Sequence, residues 1–396
     1  MYSDTMILVD KPYISDFFRQ TITNNSFPVV QTRVATELGF HDMPYFLDEE
    51  QAIRQARHAE NIPIYTTSEN SIGWIAKHLS FTDLPEKIDL FKNKAKFRTL
   101  INPLYPDFFF QEVSLAGLDN FRIDEVPLPF VIKPSVGFFS MAVYKVTHAG
   151  QWGKIKESIK EDIQSVQELY PSEVMDTSTF IIEQCIEGDE FAIDAYYDAA
   201  GEPVILNIYN HIFSTETDVS DRVYISSKQI IEENINQFRE FLCRVGELSG
   251  VKNFPVHVEV RRDRSGLVNP IEINPMRFGG WCTTADLTWY AYGFNAYEYY
   301  FSQQRPDWPA FLKNKAGKLY AIIVLDNSTG VDGDRITAFD YEGLLAKFDT
   351  PLDLRKIDYK RYPVFGFLFT ETKEERFSEI QAILTSDLRE YITYIE

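Results

Sequence analysis

The sequence predicts an α/β chain, more strictly α+β, with a small strand–helix layer followed by a longer run of antiparallel hairpins and helices. Three observations predict it. Short apolar strands alternate with amphipathic helices before about residue 92. Beyond that point strands succeed one another directly, with turn-forming residues between them. The chain has 396 residues, 44% hydrophobic and 15% aromatic, enough apolar material for two or three cores.

In order, Met6–Val9 reads as a strand, Ile14–Thr23 as a helix and Val29–Gln31 as a second strand. Pro63–Tyr65 is a third strand, leading through the turn-like Thr66–Asn70 into a helix at Ile72–Leu79. This alternation predicts a parallel sheet. From Asn93 the texture changes. A helix begins at Lys94–Leu100, broken by Pro103 and Pro106, and strands follow at Phe130–Lys133 and Met141–Val146. An amphipathic helix at Gln151–Leu169 is ended by Pro171. Strands at Thr179–Ile186, Glu190–Asp198 and Pro203–Phe213 come next, the last two joined through Ala199–Glu202. A helix at Glu232–Ser249 precedes strands at Val256–Arg261 and Leu267–Asn274. The remainder reads strand, helix, strand, helix, with strands at Tyr320–Leu325 and Val364–Thr370. Soft boundaries near 92 and 306 divide the chain into 1–92, 93–305 and 306–396.

The charge balance is 39 basic against 59 acidic residues, or −20, which repels nucleic acid and anionic membrane surfaces. Cys185, Cys243 and Cys282 form no C-x-x-C pair, so neither a disulfide framework nor a zinc site is expected. No signal peptide and no apolar run of membrane-spanning length is read, so a cytoplasmic protein is expected. A dinucleotide fingerprint and a Walker A loop are both missing from the sequence.

The chemistry concentrates in three places. Period-two alternation puts Val256, Val258 and Val260 on one face of their strand, with His257, Glu259 and Arg261 on the other. In the next strand Ile271 and Ile273 face one side, and Glu272 and Asn274 the other. Paired antiparallel, the strands collect Glu259, Glu272 and Asn274 on one polar face. Two carboxylates and an amide oxygen suit Mg²⁺, although an ordinary solvated face has the same pattern. A zinc site at His257 lacks the partners that it needs. The second place is Phe130–Ser140, where Lys133 ends an apolar strand before a loop with Gly137. A lysine in such surroundings needs an anion, either a phosphate or an acidic side chain. The third is Phe180–Glu190, an apolar strand that runs into Glu183, Gln184 and Gly188; it offers backbone groups to a base edge and is equally a plain strand and turn.

Taken in order, these pieces resemble the ATP-grasp superfamily, specifically its carboxylate–amine ligases, over about Asn93–Phe301. The hairpin carries most of the resemblance, as His257-Val-Glu259-Val-Arg261 followed by Ile271-Glu272-Ile273-Asn274-Pro275. The resemblance implies an ATP-grasp fold flanked by an N-terminal α/β layer and a small C-terminal α+β domain. It implies ATP and two Mg²⁺ ions, or Mn²⁺ in their place, held by Glu259, Glu272 and Asn274. Lys94 (or Lys96) and Lys133 would meet phosphates. Glu183, Gln184 and Ile186 would read adenine, with Ile271 packed on the base and Glu190 on the ribose. Ser140 belongs to the phosphate loop, and Arg277 would meet the γ-phosphate or acyl phosphate. Here the sequence departs twice: the loop is poor in glycine, and Met276 intervenes between Asn274-Pro275 and Arg277.

The implied reaction activates a carboxylate as an acyl phosphate and passes it to an amine, with release of ADP and phosphate. An amino acid or small carboxylate is the expected substrate, and Trp281 a candidate for the acyl pocket. Trp289, Tyr290 and Tyr292, at helical spacing, read as core. The Ser135–Ser140 loop, with Phe138 and Phe139, is expected to cover the site against water. The alternatives are a kinase or acyl-thiol ligase of the same fold, or an ATP-binding protein without turnover. Small molecules are the expected partners, and a homodimer is left open.

Overall fold

The computed structural model describes residues 5–41, 43, 45–59, 61–137, 142–166, 176–215 and 220–395. The N-terminal layer is a parallel four-stranded sheet in the order Phe46–Leu47, Val29–Val30, Met6–Leu8, Ile64–Thr66. The predicted strands are there. Phe46–Leu47 and the helices Arg33–Glu37, Glu49–His58 and Leu84–Lys92 are additional. A two-residue strand is too short to show alternation, and Glu49–His58 buries only Ala52 and Ala56, so its apolar stripe is faint.

A second four-stranded sheet is antiparallel, in the order Phe110–Ser114, Asp176–Gln184, Phe130–Val136, Tyr144–Val146. The helix Trp152–Val166 packs Trp152, Ile159 and Ile163 against Phe130, Ile132, Phe180 and Ile182 of this sheet. The predicted end of that helix at Leu169 and Pro171 lies outside the described residues, as does Met141 at the start of the next predicted strand.

The largest sheet has eight antiparallel strands: Val268–Pro275, Phe254–Arg262, Asp189–Tyr197, Pro203–Ile212, Val223–Ser227, Lys318–Asp326, Val364–Lys373 and Pro351–Lys356. It takes strands from both sides of residue 306. Val223–Ser227 makes the join, pairing with Pro203–Ile212 on one side and Lys318–Asp326 on the other. The 22-residue helix Lys228–Ser249 covers one face with Ile231, Phe238, Leu242 and Val245. Among the described residues no helix is long and apolar enough to cross a membrane.

Candidate active site

The two strands of the hairpin pair antiparallel. Glu259 pairs with Glu272 and His257 with Asn274, so both carboxylates and the amide share a face. Behind them Val256, Val258 and Val260 are fully buried. One detail departs from strict alternation. After Glu259–Glu272 the next pair is Val260–Pro270, so Ile271 is an extra, unpaired residue in a β-bulge. Ile273 therefore joins the core, whereas Ile271 stays half-buried and outside every apolar cluster described. The expectation that the two isoleucines share a core-facing side is corrected by that bulge.

Asn93 places the lysines. It ends the helix Leu84–Lys92 and caps the next, Lys94–Ile101, its Oδ1 accepting from the N–H groups of Ala95 and Lys96. This break sends Lys92 and Lys94 into the interior. Lys94 Nζ lies 2.9 Å from Glu272 Oε2 and donates to the Gly137 carbonyl at 3.2 Å. Lys96 stays on the surface, paired with Asp89. Asn274 Nδ2 donates to Glu272 Oε1 at 3.1 Å.

The two acids differ electrostatically. Burial alone would raise the Glu272 carboxyl, but Lys94 and Lys133, with Lys92 behind them, hold it well below its usual range. Glu259 is pushed well above its usual range, first by burial and then by the negative charge of Glu272, Glu190 and Asp221. The more distant Arg277 only partly offsets these acids, and a divalent ion at Glu259 would offset them further. The donor set of two carboxylates and one amide oxygen is hard and fits Mg²⁺. His257 is bound elsewhere, with Nδ1 2.7 Å from Asp194 Oδ1 and Nε2 3.8 Å from Glu259 Oε1.

The anion beside Lys133 is Glu183, 2.6 Å from its Nζ. Arg98 Nε holds the other Glu183 oxygen at 2.7 Å, while Arg98 Nη1 donates to the Pro270 carbonyl at 2.7 Å. All three charged groups are buried. Burial pushes the Glu183 carboxyl up, but Arg98 and Lys133 overcome it and bring it to about 2. The Glu183 side chain is therefore an ion-pair partner. Gln184 Oε1 accepts from the Phe109 N–H at 2.9 Å, and the Ile186 carbonyl accepts from Arg261 Nη1 at 2.8 Å. Glu190 receives Arg261 Nε and Nη2 and His211 Nδ1, each at 2.9 Å. Ser140, Phe138 and Phe139 lie outside the described residues.

Arg277 follows a left-handed residue, Met276 (φ +67°). The Met276 carbonyl accepts from the Thr66 N–H at 2.8 Å, tying the acidic strand to the N-terminal sheet. That extra residue turns Arg277 onto Glu69, with Nη2 2.6 Å and Nε 3.2 Å from Glu69 Oε1. Lys92 Nζ binds the other oxygen of Glu69. The segment beyond turns tightly. The Gly279 N–H donates to Asp194 Oδ1 (3.0 Å) and Thr284 Oγ1 (2.8 Å), and a Cβ on Gly279 would stand 2.4 Å from the Thr284 side chain. Trp281 and Cys282 both have positive φ, and the Trp281 ring lies among those of Tyr13, Tyr362 and Phe367. Tyr292 is core, as expected, whereas Trp289 is exposed and stacks on Phe17.

Arg98, Lys92, Glu69 and Asp194 escaped the sequence reading. Arg98 left a signal, because it follows Lys94 by one helical turn and so shares its face. Nothing local marked Glu69.

Residues 126–285 match the family model described as an ATP-grasp domain. No curated protein matches the chain. Among solved structures, an L-amino acid ligase from Bacillus licheniformis is similar with TM-score 0.70 and 18% identity, covering 100% of this chain and 99% of that one. A carboxyaminoimidazole ribonucleotide synthase from Aspergillus clavatus, complexed with ATP, has TM-score 0.64 and 11% identity over 98% and 99% of the two chains. The biotin carboxylase domain of the Hydrogenobacter thermophilus 2-oxoglutarate carboxylase, in complex with MgADP, ADP and bicarbonate, has TM-score 0.61 and 13% identity over 99% and 91%. The chain carries an ATP-grasp domain at its centre and is built on the ATP-grasp fold.

Proposed function

We propose that the chain is an ATP-dependent carboxylate–amine ligase. The observation that carries the reading is the pairing of Glu259 with Glu272, one step from Asn274 and facing Lys94. Glu259, Glu272 and Asn274 would hold Mg²⁺. Bound there, the metal supplies charge neutralisation at the ATP phosphates and the transferring phosphoryl group. Lys94 and Lys133 meet the phosphates, for which both must exchange a carboxylate partner for a phosphate. Arg277 faces the acyl phosphate. The base lies between the Gln184–Ile186 segment and Ile271, which the bulge keeps out of the core, and Glu190 meets the ribose.

A substrate carboxylate oxygen attacks the γ-phosphorus, forming an acyl phosphate as the bond to ADP breaks. An amine nitrogen then attacks the acyl carbon, phosphate leaves and the amine loses a proton. Amino acids are the favoured substrates, in keeping with the similarity to an L-amino acid ligase structure.

The test is ADP release from Mg-ATP over a panel of amino acids and small carboxylates, with and without hydroxylamine. Carboxylate-dependent release with hydroxamate formed is expected, and Glu272→Ala should abolish it. ADP release without hydroxamate would point to a kinase and overturn the acyl-phosphate step.

A further inference from the structure

We propose that Glu69, contributed by the N-terminal layer, is a positioning residue for the acyl-transfer arginine: it holds the Arg277 guanidinium in one orientation at the acidic hairpin. The inference rests on the ligase reading only for what Arg277 does. The orientation itself rests on the geometry.

Glu69 begins a short turn of helix, Glu69–Ser71, and is buried with 7% of its surface exposed. Its two oxygens have separate work. Oε1 accepts from Nε and Nη2 of Arg277, and Oε2 binds Lys92. The guanidinium plane is fixed further by Nη1, which donates to the Phe278 carbonyl at 2.9 Å. One N–H on each terminal nitrogen then has no partner among the described residues. Arg277 remains within electrostatic reach of Glu272 and Glu259, both of which stabilise its charge. A planar fork held on one edge, with its other N–H bonds left over, is the arrangement that presents donors to an oxyanion.

Two features argue for more than a counter-ion. The backbone is clamped beside the ion pair, where the Thr66 N–H and Oγ1 both reach the Met276 carbonyl, at 2.8 and 3.2 Å. The residues on either side of that clamp, Glu69 three positions on and Arg277 next to Met276, are thereby held in register. Second, Met276 adopts a left-handed conformation that a non-glycine residue enters only at a cost. That conformation aims Arg277 at Glu69. Both interactions bind the N-terminal layer to the segment that follows the metal-binding strand, so this layer sets the geometry of the site.

The test compares Glu69→Gln, Glu69→Asp, Arg277→Gln and the double variant Glu69→Gln/Arg277→Gln in the ADP-release and hydroxamate assay. Glu69→Gln should lower kcat by about 10–100-fold with the KM for ATP changed by less than about 3-fold, and Glu69→Asp should recover part of the loss. In the Arg277→Gln background, Glu69→Gln should add less than about 3-fold, since the two act as one unit. Multiplying losses, or a change confined to the KM for ATP, would overturn the proposal. A second readout needs no turnover: the rate of Arg277 modification by phenylglyoxal, followed by peptide mass spectrometry in Mg-ADP. Release from Glu69 should speed it by about 5-fold or more in Glu69→Gln, and by less in Glu69→Asp, which also serves if the glutamine variant fails to fold. Unchanged modification would overturn the positioning role. Wild-type protein that is silent over the whole panel while the variants are modified faster would sink the ligase reading and leave the Glu69–Arg277 geometry standing.

Discussion

Replacing Glu183 by glutamine tests a buried cluster of three charges. The carboxylate lies between Arg98 and Lys133, with all three side chains at least nine-tenths buried. A carboxyl held at about 2 instead of 4.5 corresponds to about 3 kcal/mol in favour of the folded, ionised form. Removing one member of a buried ion pair costs about 3–5 kcal/mol, because the remaining charges lose their counter-ion. The two routes agree, and Glu183→Gln is expected to lose about 3 kcal/mol in urea denaturation at pH 7. Because the folded carboxyl is depressed, this stability is present above about pH 4.5 and lost as pH falls through about 2. The wild-type curve should therefore approach that of the variant in acid. A loss under 1 kcal/mol at pH 7, or curves that stay parallel down to pH 2, would refute the reasoning. Mg-ATP adds a further arm. Lys133 without Glu183 loses its direct ion-pair partner, a place a phosphate can take, so the nucleotide should stabilise the variant more than the wild type in thermal melts.

Glu259→Gln and Glu272→Gln should each abolish carboxylate-dependent ADP release with the circular dichroism spectrum unchanged; release at the wild-type rate would remove the metal assignment. Lys94→Ala should reduce kcat/KM for ATP by about 10-fold or more, while Lys96→Ala, on the surface with Asp89, should stay within about 2-fold. The reverse order would exchange their roles. Gly279→Ala should cost about 1–3 kcal/mol, since its Cβ meets the Thr284 side chain at 2.4 Å, and Thr284→Ala in the same chain should restore part of it. Denaturation of the single and double variants measures both effects.

The hairpin was legible because a period of two fixes which side chains share a face, and an antiparallel partner then brings Glu259 and Glu272 together without knowledge of the rest. Lys133 was legible as a residue in need of an anion, but which anion was not, since Glu183 comes from a neighbouring strand fifty residues away. Ile271 shows the limit of periodicity: a single bulge moves one residue out of the pattern and restores it at Pro270. Met276 looked like an insertion in a familiar motif. Its left-handed backbone gives it a use that only the N-terminal layer reveals, because both Thr66 and Glu69 are remote in sequence. The break near 306 marked a change in texture, yet the sheet runs through it, since main-chain hydrogen bonds between distant strands leave no local trace.

The strand Val223–Ser227 has a consequence for biosynthesis. Its outer neighbour, Lys318–Asp326, is encoded about ninety residues later. At about 5–20 residues per second, the ribosome leaves this strand waiting for roughly 5–20 seconds with unpaired N–H and C=O groups along one side. During that interval the nascent chain carries an open sheet edge beside an apolar face, the type of surface on which chains pair with one another. Yield in the cell should therefore respond to translation speed and to holding chaperones over residues 228–326.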